Sequence, residues 1–186
     1  MKKTIAKSIW GGIFIAIGTL VFLSLYPNPL APCLFSVGLL SIFLLDEKLF
    51  TGAVSFLSKK TWQNVLTILV CNLIGCAVLF MLPPSEVAQA IIANKVALHP
   101  LLIAAKGALC GVTITAALMC HLKEQTWMSI VYVMVFILAG FEHSIANACF
   151  IISSRVFTLD TLYLFLLSAL GNTIGSVIFY RTGVEK

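Results

Sequence analysis

Long apolar segments without a charged residue recur along this chain, and they limit what it can fold into. The first runs from Ser8 to Leu45, another from Trp62 to Leu82, and the last from Leu162 to Tyr180. A helix needs about 20 apolar residues to cross a bilayer, so segments of this length argue against a soluble globular domain. We therefore expect an integral membrane protein that crosses the bilayer several times.

Composition supports this expectation and excludes several other classes of protein. The chain is 60% hydrophobic and 10% charged, whereas soluble domains are roughly 45–50% apolar and 25% charged. The formal net charge of +5 comes from basic residues scattered between the apolar segments, which argues against a nucleic-acid partner. The six cysteines show no CxxC pair, so we interpret them as packing residues and expect no metal and no cofactor.

Two of the expected spans are interrupted. The prolines at 27, 29 and 32 divide the first segment into a helical hairpin. The charged triplet Asp46-Glu47-Lys48 then precedes an apolar piece, 49–58, that is too short to span. In the same way Glu142-His143-Ser144 and Asn147 interrupt the apolar run 127–154. We interpret both places as broken helices, because charged groups at membrane depth are costly.

The remaining segments complete an all-α architecture of six transmembrane helices in which helices 2 and 5 are broken. Segment 100–122 forms the fourth span, and the polar segment from Pro83 to Lys95 is expected to be a connecting loop. Placing both termini in the cytoplasm puts most lysines and arginines on the cytoplasmic side, as the positive-inside rule requires. The expected location is the inner (cytoplasmic) membrane, with lipid as the surrounding medium.

The two halves of the chain match element by element, which predicts one channel domain (1–186) made of inverted repeats of about 1–90 and 91–186. Each half has a span, a broken span and a clean span. The last helices share Asn72-Leu-Ile-Gly75 and Asn172-Thr-Ile-Gly175, and the breaks align as 45–52 with 140–147. Broken helices at corresponding positions of inverted halves point to a substrate site near the midplane. The alternative is that the breaks are ordinary kinks.

At these breaks the chain resembles the formate/nitrite transporter family. The segment Phe141-Glu142-His143-Ser144-Ile145-Ala146-Asn147 reproduces the FEHSIAN signature of that family. Leu49-Phe50-Thr51, with Phe35 fourteen positions earlier, resembles its second broken helix and loop. Gly171-Asn172 resembles the glycine-asparagine motif of its sixth helix, and the similarity covers essentially the whole chain.

The resemblance implies an aquaporin-like fold, a homopentamer with one pore in each protomer, and transport of small monovalent anions. It also implies an outer constriction of Phe35, Leu49 and Phe136, with Leu39 at an inner one. His143 and Thr51 would lie between the constrictions, and Asn147 and Asn172 match polar positions near the pore. The family's cysteine-asparagine pair in the fourth helix appears here as Cys110-Gly111, which could widen or rewire the site.

The chemistry of such a pore favours transit as a neutral acid. A bare anion loses its hydration without compensation in a ring of Phe and Leu, whereas a neutral weak acid loses far less. We expect Lys106, or Lys95 in the outer loop, to attract the anion. Protons would be co-partners, and His143 could donate a hydrogen bond or a proton while Thr51 fixes its tautomer. Glu142 is expected to hold backbone groups at the break, as are Asn147 and Asn172.

Two other functions compete with anion transport. An aquaporin-like channel for small neutral solutes would share the architecture, but the paired Asn-Pro-Ala motifs of aquaporins are missing from the sequence. A membrane enzyme or metal protein would use the histidines and cysteines, but no pair of them has metal-ligand spacing on one helix face. We therefore expect no enzymatic activity. Formate, nitrite and hydrosulfide all remain open as the transported ion.

Overall fold

The computed structural model describes residues 2–184, which fold as helices and connecting turns with no strand among them. The expectation of an all-α protein is confirmed. The α-helices are α1 Lys2–Leu25, α2 Leu30–Leu44, α3 Phe50–Ala53, α4 Trp62–Cys76, α5 Glu86–Val96, α6 Pro100–Leu122, α7 Met128–Leu138, α8 Ser144–Ser154 and α9 Leu159–Phe179. Short 3₁₀ turns follow α3 (Val54–Phe56) and α4 (Ala77–Met81), and a π turn (Tyr180–Val184) follows α9.

Four helical segments are long and apolar enough to cross a membrane. They are Lys2–Leu25, Trp62–Met81, Pro100–Leu122 and Leu159–Val184. Three shorter apolar helices, α2, α7 and α8, are packed among them. This arrangement is typical of a multi-pass membrane protein in which some segments enter the bilayer only partway.

Both interruptions expected from the sequence are present, and each contains a residue in the left-handed region. After α2 the chain turns at Asp46 (φ 53°), and α3 begins four residues later. After α7 it turns at Gly140 (φ 64°), and α8 again begins four residues later. Positive φ ends a helix because it cannot continue the right-handed turn. Asn147, which the sequence suggested as part of the second interruption, lies inside α8.

The prediction that Pro83 to Lys95 forms a connecting loop is wrong, because most of it is helix α5. Ser85 caps this helix by accepting a hydrogen bond from the Ala88 N–H at 3.2 Å. Ala88 and Ile92, one helical turn apart, are buried. Since only these two residues are fully buried and Val87, Ile91 and Val96 are half-buried, the polar residues of α5 concealed its helical character.

The helices pack in two similar sets around the interruptions. Helix α1 packs on α2 and α4, α6 packs on α7 and α9, and α2 meets α7 between the two sets. Glycines allow the close crossings: a Cβ at Gly12 would collide with the Asn72 carbonyl, and one at Gly111 with the Asn172 carbonyl. Helix α8 lies innermost, with every residue except Ile152 buried.

Candidate transport pathway

His143 is the last residue before α8, and both of its ring nitrogens have a hydrogen-bond partner. Its Nδ1 accepts a hydrogen bond from the Ala146 N–H at 3.0 Å, which caps the helix. Its Nε2 lies 3.1 Å from Thr51 Oγ1. Because Nδ1 acts as an acceptor, the ring proton lies on Nε2, and the neutral imidazole donates it to Thr51.

The same contacts disfavour a cationic ring at this position. An imidazolium would carry a proton on Nδ1 as well, and that proton would face the Ala146 N–H and break the cap. It would also place a positive charge at the positive end of the α8 dipole. The His143 side chain is only 3% exposed, so water cannot compensate the charge. We therefore expect a neutral donor at rest.

One cavity, which we call the Lys95 cavity, has a volume of about 190 Å³ and apolar walls around His143 and Lys95. Phe35 and Phe136 contact each other edge to face across it, with centroids 6.1 Å apart. Phe136 also stacks on His143 at 5.6 Å. The pair of phenylalanines expected at one constriction therefore lies together, next to the histidine.

A second cavity, the Asp46 cavity, has a volume of about 340 Å³ and is lined by Leu39, Leu49 and the charged turn after α2. The resemblance implied that Leu49 lies beside the two phenylalanines at the outer constriction. In the structure, Leu49 lines this second cavity together with Leu39. The residues after Leu49 lead to Thr51, whose hydroxyl meets His143. The bonded pair of Thr51 and His143 therefore lies where the linings of the two cavities adjoin.

Glu142 is buried. The sequence suggested that its side chain holds backbone groups at the break, but its hydrogen-bond partners are other side chains. Its Oε2 accepts from Lys95 Nζ at 2.6 Å and from Asn147 Nδ2 at 2.8 Å. Asn147 Nδ2 also donates to Ser168 Oγ at 2.9 Å. The expected backbone role is therefore absent from Asn147 as well. Instead, an ion pair between α5 and the second break neutralises the buried carboxylate.

Lys106, which the sequence favoured as the attracting cation, lies at the rim of the Lys95 cavity and does not line it. It is half-buried on α6, and a Cβ placed on Gly140, which does line the cavity, would be 3.5 Å from Lys106 Nζ. Within residues 2–184 no carboxylate forms an ion pair with Lys106. Lys95 thus lines the cavity with its charge neutralised by Glu142. Lys106 lies at the edge of the cavity and has no ion-pair partner among residues 2–184.

Two asparagines hold the two breaks by matching contacts. Asn172 Oδ1 accepts from the Ser144 N–H, and its Nδ2 donates to the carbonyls of Gly107 and Glu142. Asn72 Oδ1 accepts from the Phe50 N–H, and its Nδ2 donates to the carbonyls of Ser8 and Lys48.

These contacts give a correspondence between the breaks that differs by one residue from the alignment drawn on sequence. Lys48 corresponds to Glu142, Leu49 to His143, and Phe50 to Ser144. In the sequence, Asn72 stands out only as part of a repeated tetrapeptide. That repeat is the signal that predicts the same role for Asn72 at the first break as for Asn172 at the second.

Gly111 does not widen the pathway, contrary to one expectation from the sequence. It lies at the crossing of α6 and α9, where any side chain would collide with the Asn172 carbonyl. As for metals, no group of three or more His, Cys, Asp or Glu side chains able to hold an ion occurs in the described part of the chain.

Comparisons with known proteins agree on one family. The sequence profile described as Formate/nitrite transporter matches residues 1–184. Among solved structures, an "FNT family ion channel" superposes with a TM-score of 0.84 at 20% identity, covering 97% of this chain and 88% of that one. A "Pentameric formate channel with formate bound" gives a TM-score of 0.80 at 20% identity, covering 96% and 93%. Comparison with curated protein sequences returns no match.

Proposed function

This chain belongs to the formate/nitrite transporter family, and from that premise we propose that it forms a membrane channel for small monovalent anions such as formate, nitrite or hydrosulfide. The solved pentameric channel that shares its fold holds formate. That likeness supports formate as the type of ligand and a homopentamer as the assembly. The observation that carries the proposal is the buried His143–Thr51 pair between two cavities, each of which is lined by a lysine.

The proposed architecture has six membrane crossings in one domain of two inverted repeats, about 1–90 and 91–186. Helix α2 with α3, and α7 with α8, would be the two broken crossings. The matching contacts of Asn72 and Asn172 support this assignment, as does the similar packing of α1 and α6 on their neighbours. The distribution of lysine and arginine favours cytoplasmic termini in an inner membrane.

Anions would gather at the Lys95 cavity and cross its apolar part as neutral acids. Lys95 and Lys106 supply positive charge at one mouth, and a fixed cation beside low-dielectric walls concentrates anions. Between the phenylalanines an anion finds no partner for its charge, whereas a protonated carboxylic acid has far less solvation free energy to lose. An apolar setting also raises the pKa of the carried acid, which favours its protonation.

His143 would serve this transit as a hydrogen-bond donor between the two cavities. Its Nε2–H, which points at Thr51, can turn to a passing carboxylate or nitrite oxygen while Nδ1 remains engaged as the helix cap. If the proton is transferred, Thr51 passes its hydroxyl proton to the ring nitrogen and takes another from water on the side of the Asp46 cavity, so that both groups end as they began. The pair therefore stabilises the ion at the point where it leaves its hydration shell.

The proposal is tested by flux into liposomes that contain the purified protein. Uptake of formate, nitrite and hydrosulfide is measured at several external pH values for wild type, His143→Ala and His143→Asn. We expect selective flux that increases as the external pH falls, and loss of that pH dependence in both variants. If water or glycerol crosses and none of the ions does, the channel for neutral solutes is the correct account.

A further inference from the structure

Two buried thiols meet where α4 and α8 pack together. Cys149 S–H donates to Cys76 Sγ at 3.1 Å, and Cys76 S–H faces the Gly12 carbonyl at 3.7 Å. Both cysteines are 0% exposed and neither is oxidised. The pair joins the two halves of the chain, and it takes no part in the transport chemistry described above.

The pair lies one layer behind the wall of the Lys95 cavity. Ala146 and Phe150 line that cavity, and Cys149 lies between them in sequence, three residues after Ala146 and so on a neighbouring strip of α8. A small uncharged molecule in the cavity would therefore reach Cys149 by passing between side chains of α8 that line the cavity, such as Ala146. A pathway that passes small neutral acids would also admit a neutral peroxide.

We propose that Cys76 and Cys149 form an oxidation site, at which a neutral peroxide converts the two thiols into a disulfide that slows transport. A disulfide needs its sulfur atoms about 2.0 Å apart, so a closure of about 1 Å is sufficient. Oxidation itself is independent of what the channel carries. The effect on transport rests on the proposed function.

The chemistry balances with hydrogen peroxide as the only added reagent. One cysteine sulfur attacks the O–O bond, which breaks; the sulfur becomes a sulfenic acid, and the thiol proton leaves with the released oxygen as water. The second sulfur then displaces the sulfenic hydroxyl, which leaves with the second thiol proton as another water. Two thiols and one peroxide give one disulfide and two waters. Burial opposes the thiolate, so the reaction should be slow compared with that of an exposed thiol.

The expected effect on transport follows from the residues that α4 and α8 carry besides the two cysteines. Asn72, which fixes the first break, lies one turn before Cys76 on α4, and His143 begins the helix that carries Cys149. Drawing the sulfurs together pulls α8 towards α4 and shifts Ala146 and Phe150, which line the cavity. The covalent link also prevents the two breaks from moving independently.

The test oxidises the full-length protein in liposomes after the half-buried Cys33 and Cys120 have been blocked with N-ethylmaleimide. Hydrogen peroxide is added, and peptide mass spectrometry detects linkage of Cys76 to Cys149. We expect that linked peptide and at least a threefold fall in formate flux, reversed by a phosphine reductant. Neither Cys76→Ser nor Cys149→Ser can form the disulfide, so the flux of each should be unchanged by peroxide. If one of these control variants does not fold, the other is used.

Three other results would count against parts of the account. Absence of the linked peptide overturns the oxidation site. A linked peptide with unchanged flux overturns the effect on transport. Absence of formate, nitrite and hydrosulfide flux in the reduced wild type overturns the proposed function alone, since mass spectrometry still decides whether the disulfide forms.

Discussion

At the scale of single residues, His143 combines two roles that act through different atoms. Nδ1 closes the first turn of α8, and Nε2 meets Thr51. Most substitutions at this position therefore change helix stability and transport together. A substitution that keeps the helix cap would change transport alone. Asparagine does so, because its side-chain oxygen is a good helix cap while the amide cannot exchange a proton.

We expect His143→Ala to be about 1 kcal/mol less stable than His143→Asn, the usual cost of losing a helix cap. Both variants should lack the pH-dependent flux of the wild type. Equilibrium unfolding in mixed detergent micelles measures the first effect. Equal stability of the two variants would show that the Nδ1 contact does not support α8.

The exposed turn after α2 provides a second single-residue effect, on stability at acid pH. The ammonium groups of Lys7 and Lys48 donate to the Asp46 carboxylate and lower the pKa of Asp46 from 3.8 to about 2. Because the folded-state pKa is the lower one, the ion pair stabilises the fold fully above pH 3.8. The stabilisation is lost as the pH falls towards 2.

Asp46→Asn isolates this contribution, since asparagine also tolerates the positive φ of the turn. We expect wild type to exceed the variant by less than about 1 kcal/mol at pH 5, because the pair is exposed. Most of the difference should be gone at pH 2, and the rest should vanish below it. Thermal unfolding in detergent across this range measures it, and a constant difference would show that the charge of Asp46 is not the cause.

At the scale of elements, the breaks are stable because two asparagines satisfy backbone groups that a continuous helix would satisfy itself. Asn172 is fully buried and reaches three backbone groups from three different segments. Buried polar groups left without a partner are costly. The geometry of the second break therefore depends on one side chain of α9.

We expect Asn172→Ala to lower the free energy of unfolding by about 2 kcal/mol or more, since a buried group left unpaired costs about 1–3 kcal/mol. Asn64→Ala is the matched control: this exposed asparagine lines the Asp46 cavity, and its loss should change stability by less than about 0.5 kcal/mol. Chemical unfolding of both variants gives the comparison. Similar losses would show that Asn172 does not hold the break.

The elements also show how much the sequence could predict. Apolar length, prolines and charged interruptions were sufficient for the four long apolar helices and both breaks, since these are local signals. The sequence does not predict helix α5, because only Ala88 and Ile92 are fully buried and the polar residues around them obscure the helical period. Three features of the sequence did indicate a helix: the capping residue Ser85, the acidic Glu86 in the first turn and the basic Lys95 in the last turn. The polar residues of the segment nevertheless favoured the prediction of a loop.

The site was less predictable because its contacts join distant segments. The residues His143, Thr51, Phe35 and Phe136 came from the family resemblance, and spacing alone would not have brought them together. The Lys95–Glu142 pair joins residues 47 positions apart, and its formation depends on the packing of α5 on α8. Nothing in the local pattern around either residue indicates that contact.

At the scale of the whole molecule, the two lysines near the Lys95 cavity differ in charge compensation. Among residues 2–184, Lys95 forms an ion pair with Glu142 and Lys106 forms none, so Lys106 contributes net positive charge at the rim of the cavity. Attraction over such distances is screened by salt, with a Debye length of about 8 Å at 0.15 M. The contribution of Lys106 should therefore depend on ionic strength.

We expect Lys106→Met to raise the half-saturation concentration for formate by roughly threefold or more at low salt, and by much less near 1 M salt. Lys123→Met, at the opposite end of α6, is the control and should leave it unchanged. Liposome uptake across formate and salt concentrations measures both. An increase that is independent of salt would exclude long-range attraction as the cause.

The ion pair between α5 and the second break also has a consequence for biogenesis. During synthesis Lys95 leaves the ribosome well before Glu142, and α5, with only 11 residues, is too short to cross the bilayer by itself. A carboxylate that entered the bilayer alone would cost several kcal/mol. We therefore expect the second broken crossing to become stable in the membrane only after α5 has docked on α8 and Lys95 has neutralised Glu142.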